Sequence, residues 1–248
     1  MSQRSTKRPT STASGGALEV HLLGLVDFDS ALTLQERLVF EISGRDDTQG
    51  ALLLCEHPPL ITLGREARGC DTAAEADALM TPGSGLRWIP PGGGMCVHAP
   101  GQLAVYPVLP LARIGLGLDA YRTALEEALV SVCHEQRVPA KRSGTEPGLW
   151  SRSGQIGFFG AAVKSWVSYH GMFLNVDPDP GFMKLACRKG HEERVSSLRA
   201  HRLTPVSMAT VRESVMRHIA ERFGYERHHV YTGHPLLKRS RRKVCQHV

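Results

Sequence analysis

Between residues 154 and 176 the chain reads "GQIGFFGAAVKSWVSYHGMFLNV", and this stretch narrows the fold more than any other. It is dense in apolar and aromatic side chains, yet Gly157, Gly160 and Gly171 interrupt it. Interior glycines weaken a helix, whereas β-branched and aromatic residues suit a pleated surface. The stretch therefore predicts two strands, "QIGFFGAAVK" and "SWVSYHGMFLNV". Upstream, "ALLLCEHPPLITLG" gives two short buried strands joined by a turn at Pro58-Pro59, and "QLAVYPVL" gives a further strand ended by Pro110. Three amphipathic helices accompany them. Ala31, Leu34, Leu38 and Ile42 form one stripe; Leu118, Tyr121, Leu125, Leu129 and Val132 form a second, with Asp119 at its positive start. Val211, Val215 and Ile219 mark the third, from about Ser207 to Phe223, with Gly224 as its stop. Without strict βαβ alternation, the fold class is α+β or mixed-sheet α/β rather than a dinucleotide-binding sheet.

A chain of 248 residues, 42% hydrophobic, buries a full core as one domain, expected over residues 17–231. Charge is distributed unevenly. Residues 1–16 carry Arg4, Lys7 and Arg8 with no acid, and residues 232–248 carry Lys238, Arg239, Arg241, Arg242 and Lys243 with no acid. Removing these two tails from the net +6 leaves −2 for the middle. A body so close to neutral argues against nucleic-acid binding, and the tails read as solvated polar segments. No apolar run approaches the roughly 18 residues of a membrane span, and no apolar stretch follows the basic start as in a secretory signal. Cys55, Cys70, Cys96, Cys133, Cys187 and Cys245 are scattered without a C-x-x-C pair, which suits reduced thiols in a cytoplasmic protein. "CEH" at Cys55–His57 matches no familiar zinc spacing, so no metal and no cofactor are expected.

The chemistry-bearing residues fall in three places. "PPGGGMCVHAPGQL" sets three glycines before His98, without the spacing of a dinucleotide loop or the lysine of a phosphate loop. Cys187 precedes Arg188 and Lys189; neighbouring cations favour a thiolate, one route to a reactive cysteine, whereas an arbitrary cysteine is more often a small buried hydrophobe. His98 and His170 each adjoin a glycine-containing turn, as site histidines or structural ones both do. A papain-like set of Cys187, His170 and Asn175 lacks the local signatures of that family.

Together these blocks resemble the lipoyl (octanoyl) transferase family. "HLLGLVDFDSALTLQERL", "ALLLCEHPPLITLGRE", "GGGMCVHAPGQLAVYP", "PGLW", "QIGFFGAAVKSWVSYHGMFLNV" and the cysteine before "VSSL" follow in family order over roughly residues 20 to 225. The resemblance implies the catalytic-domain fold of biotin and lipoate ligases and transferases. It implies transfer of octanoate from acyl carrier protein to a lysine of a lipoyl domain, in 2-oxoacid dehydrogenases or the glycine cleavage H protein. Cys187 takes the place of the nucleophile that carries the acyl group as a thioester. The substrate-binding segments fall on Pro91, Gly92, Gly93, Gly94, Met95, Cys96, Val97 and His98, on Phe158, Phe159 and Gly160, and on Gly171, Met172 and Phe173. Glycine backbone would line a narrow acyl slot and offer N–H groups to a developing oxyanion.

The chain departs from the family pattern at four places. Gln155 stands where the family has a catalytic lysine, and an amide neither carries charge nor titrates near neutrality. Pro91 replaces an arginine, Ala99 a glycine, and Ala186-Cys187-Arg188 a Pro-Cys-Gly. Lys164 lies an odd number of residues from Gln155, which in a regular strand puts it on the opposite face. Arg188, Lys189 and His98 are the candidates for replacement charge. Two other readings share the fold: a catalytically impaired relative that binds acyl chains or lipoyl domains, and an ATP-dependent lipoate or biotin ligase. Retention of Cys187 with loss of the lysine argues against the ligase.

Overall fold

Side-chain alternation along the central strands sorts the interior into two cores, one on each face of a single mixed sheet. The computed structural model describes residues 16–65, 85–89, 94–144, 146–183 and 195–237. Its large sheet contains β1 (Ala17–Leu25), β2 (Gly50–Glu56), β6 (Gln102–Val108), β7 (Lys141–Arg142), β8 (Leu149–Ser151), β9 (Gly154–Lys164), β10 (Val167–Asn175) and β11 (Arg227–Thr232). These strands run in the order β11-β1-β2-β6-β10-β9-β8-β7. The β11-β1-β2 pairs are parallel and the remainder antiparallel.

On one face, Leu52 and Leu54 of β2 and Leu103 and Val105 of β6 pack under two helices, α2 (Leu118–Glu135) and α3 (Met208–Arg222). On the other, Leu53, Ala104, Tyr106 and Val108 pack under α1 (Phe28–Ser43). The three helices lie on their predicted stripes. Asp27 caps α1 by accepting the Ser30 N–H at 2.9 Å, and Gly224 ends α3 at φ 77°.

A second, three-stranded sheet holds β3 (Leu60–Leu63) between β4 (Gly85–Trp88) and β5 (Met95–His98). β2 and β3, close in sequence, thus belong to different sheets, separated by Pro58 and Pro59, which have no amide hydrogen for a ladder. Met95–His98, expected as part of a glycine-rich loop, forms a strand paired antiparallel with β3. β1 and β11 are elements that the sequence analysis leaves unassigned.

β9 and β10 form a hairpin whose turn residues, Ser165 and Trp166, have φ of 51° and 58°, the left-handed backbone of a tight primed turn. β9 carries a bulge: Leu149 of β8 pairs with Gly157, but Trp150 pairs with Gln155. Ile156 and Phe158, two residues apart, consequently fall in opposite cores. The parity argument separating Lys164 from Gln155 therefore fails. Distance separates them instead, because nine residues of strand span about 30 Å. Among the described residues no helix is long and apolar enough to cross a membrane.

Candidate functional site

The α1-side core is built from rings. Phe28 opens α1, His57 follows β2, His98 ends β5, Tyr106 lies on β6, and His170 and Phe173 lie on β10. His98 packs on Phe173 with ring centroids 4.4 Å apart, and Phe28 sits 5.1 Å from His57 and 5.5 Å from His98. Two hydrogen-bond systems thread this cluster, and carbonyl acceptors fix their direction.

His57 Nδ1 lies 2.8 Å from the Val26 carbonyl, so that nitrogen carries the proton and Nε2 accepts from the Tyr106 hydroxyl at 2.7 Å. The second system is longer. Gln102 Nε2 donates to the Val97 carbonyl and, at 2.9 Å, to Asn175 Oδ1, which leaves Gln102 Oε1 to accept from His98 Nδ1 at 3.1 Å. His98 Nε2 then accepts from the Thr62 hydroxyl at 2.8 Å, while Asn175 Nδ2 donates to the Ser196 carbonyl at 2.9 Å. A polarised relay thus runs from β3 through β5, β6 and β10 to Ser196. The Ser196 N–H in turn donates to the Gln155 carbonyl at 2.8 Å, where Val195 bridges Gln155 in parallel.

Burial holds these imidazoles neutral. It pulls His57 down to about 4 and, with the nearby His57 ring adding to the effect, His98 down to about 3. His98 is therefore uncharged at neutral pH with both ring nitrogens committed, so it does not supply the charge absent at Gln155. Asn175 is likewise engaged with Gln102 and Ser196, so among the described residues the His170–Asn175 pair of a papain-like set is not formed.

The anticipated binding residues separate by face. Phe158, Phe173 and Cys96 pack into the α1-side core, whereas Phe159 and Met172 turn into the opposite core, where the Arg122 guanidinium lies 6.0 Å from the Phe159 ring. Phe159 and Met172 keep only their backbone on the strand pair that also holds Gly160 opposite Gly171. A Cβ at Gly94 or Gly160 would meet open space, but one at Gly171 would lie 2.2 Å from the Val105 carbonyl oxygen. Gly171 thus serves close packing of β10 on β6. Val97 is buried and Met95 half-buried on β5. Gln155 donates its side-chain amide to the Gly157 carbonyl at 3.2 Å. Pro91, Gly92, Gly93, Cys187, Arg188 and Lys189 lie outside the described residues. Burial raises the Cys96 and Cys133 thiols to about 12 and raises Cys55 as well, so all three stay protonated at neutral pH.

Phe28, Thr62, Tyr106 and Gln102 join this candidate site without having been singled out by sequence reasoning. Gln102 and Tyr106 lie within the quoted glycine-loop block, but their partners are up to 73 residues away. No local pattern points to them.

The described residues thus form a mixed sheet with helices on both faces and, beside glycine-bearing strands, a core of aromatic rings threaded by hydrogen bonds. Residues 27–220 match the lipoyl protein ligase A/B catalytic domain. An octanoyltransferase of Geotalea uraniireducens is 41% identical over 63% of this chain and 70% of its own length. One of Geobacter metallireducens is 34% identical over 78% of this chain and 87% of its own. A crystal structure of lipoate-protein ligase A bound with ATP superposes with a TM-score of 0.68 at 16% identity, over 90% of this chain and 91% of the other, a likeness of fold alone. The chain belongs to the octanoyltransferase family.

Proposed function

We propose that this protein transfers octanoate from acyl carrier protein to a lysine of a lipoyl domain, in the cytoplasm, through a thioester on Cys187. Family membership over most of the chain is the observation that carries this reading. In the first step the Cys187 thiolate attacks the donor thioester carbonyl, the bond to the phosphopantetheine sulfur breaks, and that sulfur leaves to take up a proton. In the second the lysine amine attacks the acyl-cysteine, the carbon–sulfur bond breaks, and the proton lost from nitrogen ends on the Cys187 sulfur. Thioester exchange is nearly isoenergetic and amide formation runs downhill, so no ATP is required. The backbone of Gly94, Gly160 and the Gly171–Phe173 strand lines the acyl slot in this scheme.

Val195 and Ser196 are fastened onto Gln155, the position that the family lysine takes in this scheme. The Asn175 amide holds the same point from the other side. An ATP-dependent ligase is disfavoured, because its lysine is absent and the sequence relatives are octanoyltransferases. An impaired, binding-only relative is the second reading, motivated by an uncharged Gln155 whose amide is already engaged.

The test is incubation with octanoyl carrier protein and a lipoyl domain, without ATP. Octanoyl amide on the lipoyl lysine is the expected product. Tight binding without transfer would favour the binding-only relative, and transfer only from free octanoate plus ATP would favour a ligase.

A further inference from the structure

Of the three buried histidines in the α1-side core, two are fully hydrogen-bonded and one is not. His170 is 1% exposed, and neither of its ring nitrogens has a hydrogen-bond partner among the described residues. An unmet buried polar group is costly to bury and calls for a physical reason. The backbone at His170 is unusual too. Its φ of 55° lies in the left-handed region inside a strand, a conformation that non-glycine residues rarely hold without external support.

Pro107 lies across from that residue. Counting two residues from the Met172–Val105 pair sets His170 opposite Pro107 on β6, an interior strand position at which proline has no N–H to donate. The ladder is broken there and repaired by side chains. Ser168 Oγ donates to the Pro107 carbonyl at 2.7 Å and accepts the Leu109 N–H at 3.0 Å. The His170 N–H, released from the ladder, donates instead to Gln35 Oε1 of α1 at 2.6 Å. The turned backbone aims the imidazole into the α1-side core, among Tyr169, Tyr106 and Phe28 with ring centroids at 5.1, 6.1 and 6.2 Å. Three side chains on three elements thus maintain a strained residue whose ring reaches no polar partner, directly before Gly171.

We propose that His170 is a substrate-binding residue, its imidazole N–H donating to the carbonyl oxygen of the acyl group. This rests on the octanoyl-transfer reading above. Aromatic walls around one unpartnered polar ring match an acyl chain with a single carbonyl. Burial holds the ring at about 4, so at neutral pH it is uncharged and always retains one donor nitrogen.

Nitrogen NMR on protein with isotope-labelled histidine tests this, using heptyl methyl ketone, an octanoyl group with methyl in place of sulfur, against nonane, which has no carbonyl. The ketone shifts the His170 ring N–H signal, identified by its loss in His170→Asn, and nonane leaves it in place. In transfer from octanoyl carrier protein, His170→Leu lowers kcat/KM about 10- to 100-fold. His170→Asn, which keeps an N–H donor and tolerates left-handed backbone, stays within about fivefold of the parent. Equal shifts from ketone and nonane, or no shift from a ketone that inhibits transfer, overturn the proposal. So does a folded His170→Leu as fast as the parent. A parent that transfers no octanoate at all overturns the underlying reading instead.

Discussion

The two faces of the sheet solve the same burial problem with different chemistry. Under α2 and α3 the core is mainly aliphatic, with Leu52, Leu54, Leu125, Leu129, Val211, Val215 and Ile219 filling it beside Tyr121, Phe223 and Tyr225. Under α1 it holds Phe28, His57, His98, Tyr106, His170 and Phe173, threaded by directional hydrogen bonds. A dry core tolerates approximate filling, whereas buried polar groups cost free energy unless each is met. The α1 side accepts that cost beside the glycine-bearing strands. In the proposed function, recognition falls on that polar face and shape-filling on the other.

Acid should break this asymmetry most strongly. Each of His57, His98 and His170 has its folded-state pKa lowered from 6.5, to between about 3 and 4. Below pH 6.5 the unfolded chain binds protons that the folded chain refuses, so stability falls as pH drops toward those folded values and levels off above 6.5. The three together can remove up to about 4 kcal/mol per pH unit, each supplying about 1.4. Denaturant midpoints between pH 8 and 5 check this, and His98→Gln should flatten the slope. A midpoint that does not move over that range would contradict neutral burial of these rings.

Point substitutions sharpen the contrast at smaller magnitude. Leu129→Ala, fully buried under the sheet, should cost about 3 kcal/mol by cavity formation yet leave kcat/KM of the folded protein unchanged. Gln102→Leu should cost about 2 kcal/mol by orphaning His98 Nδ1 and Asn175 Oδ1, and should slow transfer as well, because the relay fixes Ser196. Urea melts paired with transfer assays separate the two outcomes. If both variants slowed transfer equally, the division of labour between faces would be lost.

A third substitution addresses rate alone. With Gln155 uncharged, the Cys187 thiol should titrate near the free value of about 8.5, so transfer should quicken as pH rises through it. Gln155→Lys should raise the rate near pH 7 about tenfold, one pKa unit of thiolate stabilisation. The check is the pH profile of Cys187 alkylation in parent and variant. A parent thiol titrating well below 7 would show that Arg188, Lys189 or another cation supplies the charge.

Local periodicity made much of the fold legible. The stripes of α1, α2 and α3 and the apolar runs of β6, β9 and β10 are nearest-neighbour patterns, and hydrophobic burial acts on them directly. The features that escaped depend on distant partners. β11 is exposed along its whole length and exists by pairing with β1, more than two hundred residues earlier. The left-handed backbone of His170 lies across from Pro107 on another strand, and the face of Lys164 depends on a bulge visible only in the pairing of β8 with β9. Within the candidate site, His98 is marked by its glycine-containing turn and by resemblance, Gly171 by resemblance alone. Their physical tasks, relay member and close-packing point, required the Gln102 amide and the Val105 carbonyl to be in view.

The most direct test of the central claim is intact mass measurement after mixing the protein with octanoyl carrier protein. One octanoyl group, labile to hydroxylamine, mapping to Cys187 and absent from Cys187→Ser, is the predicted result. No adduct on a parent that nonetheless transfers octanoate, or an adduct on Cys96 or Cys133, whose thiols burial holds protonated, would contradict it.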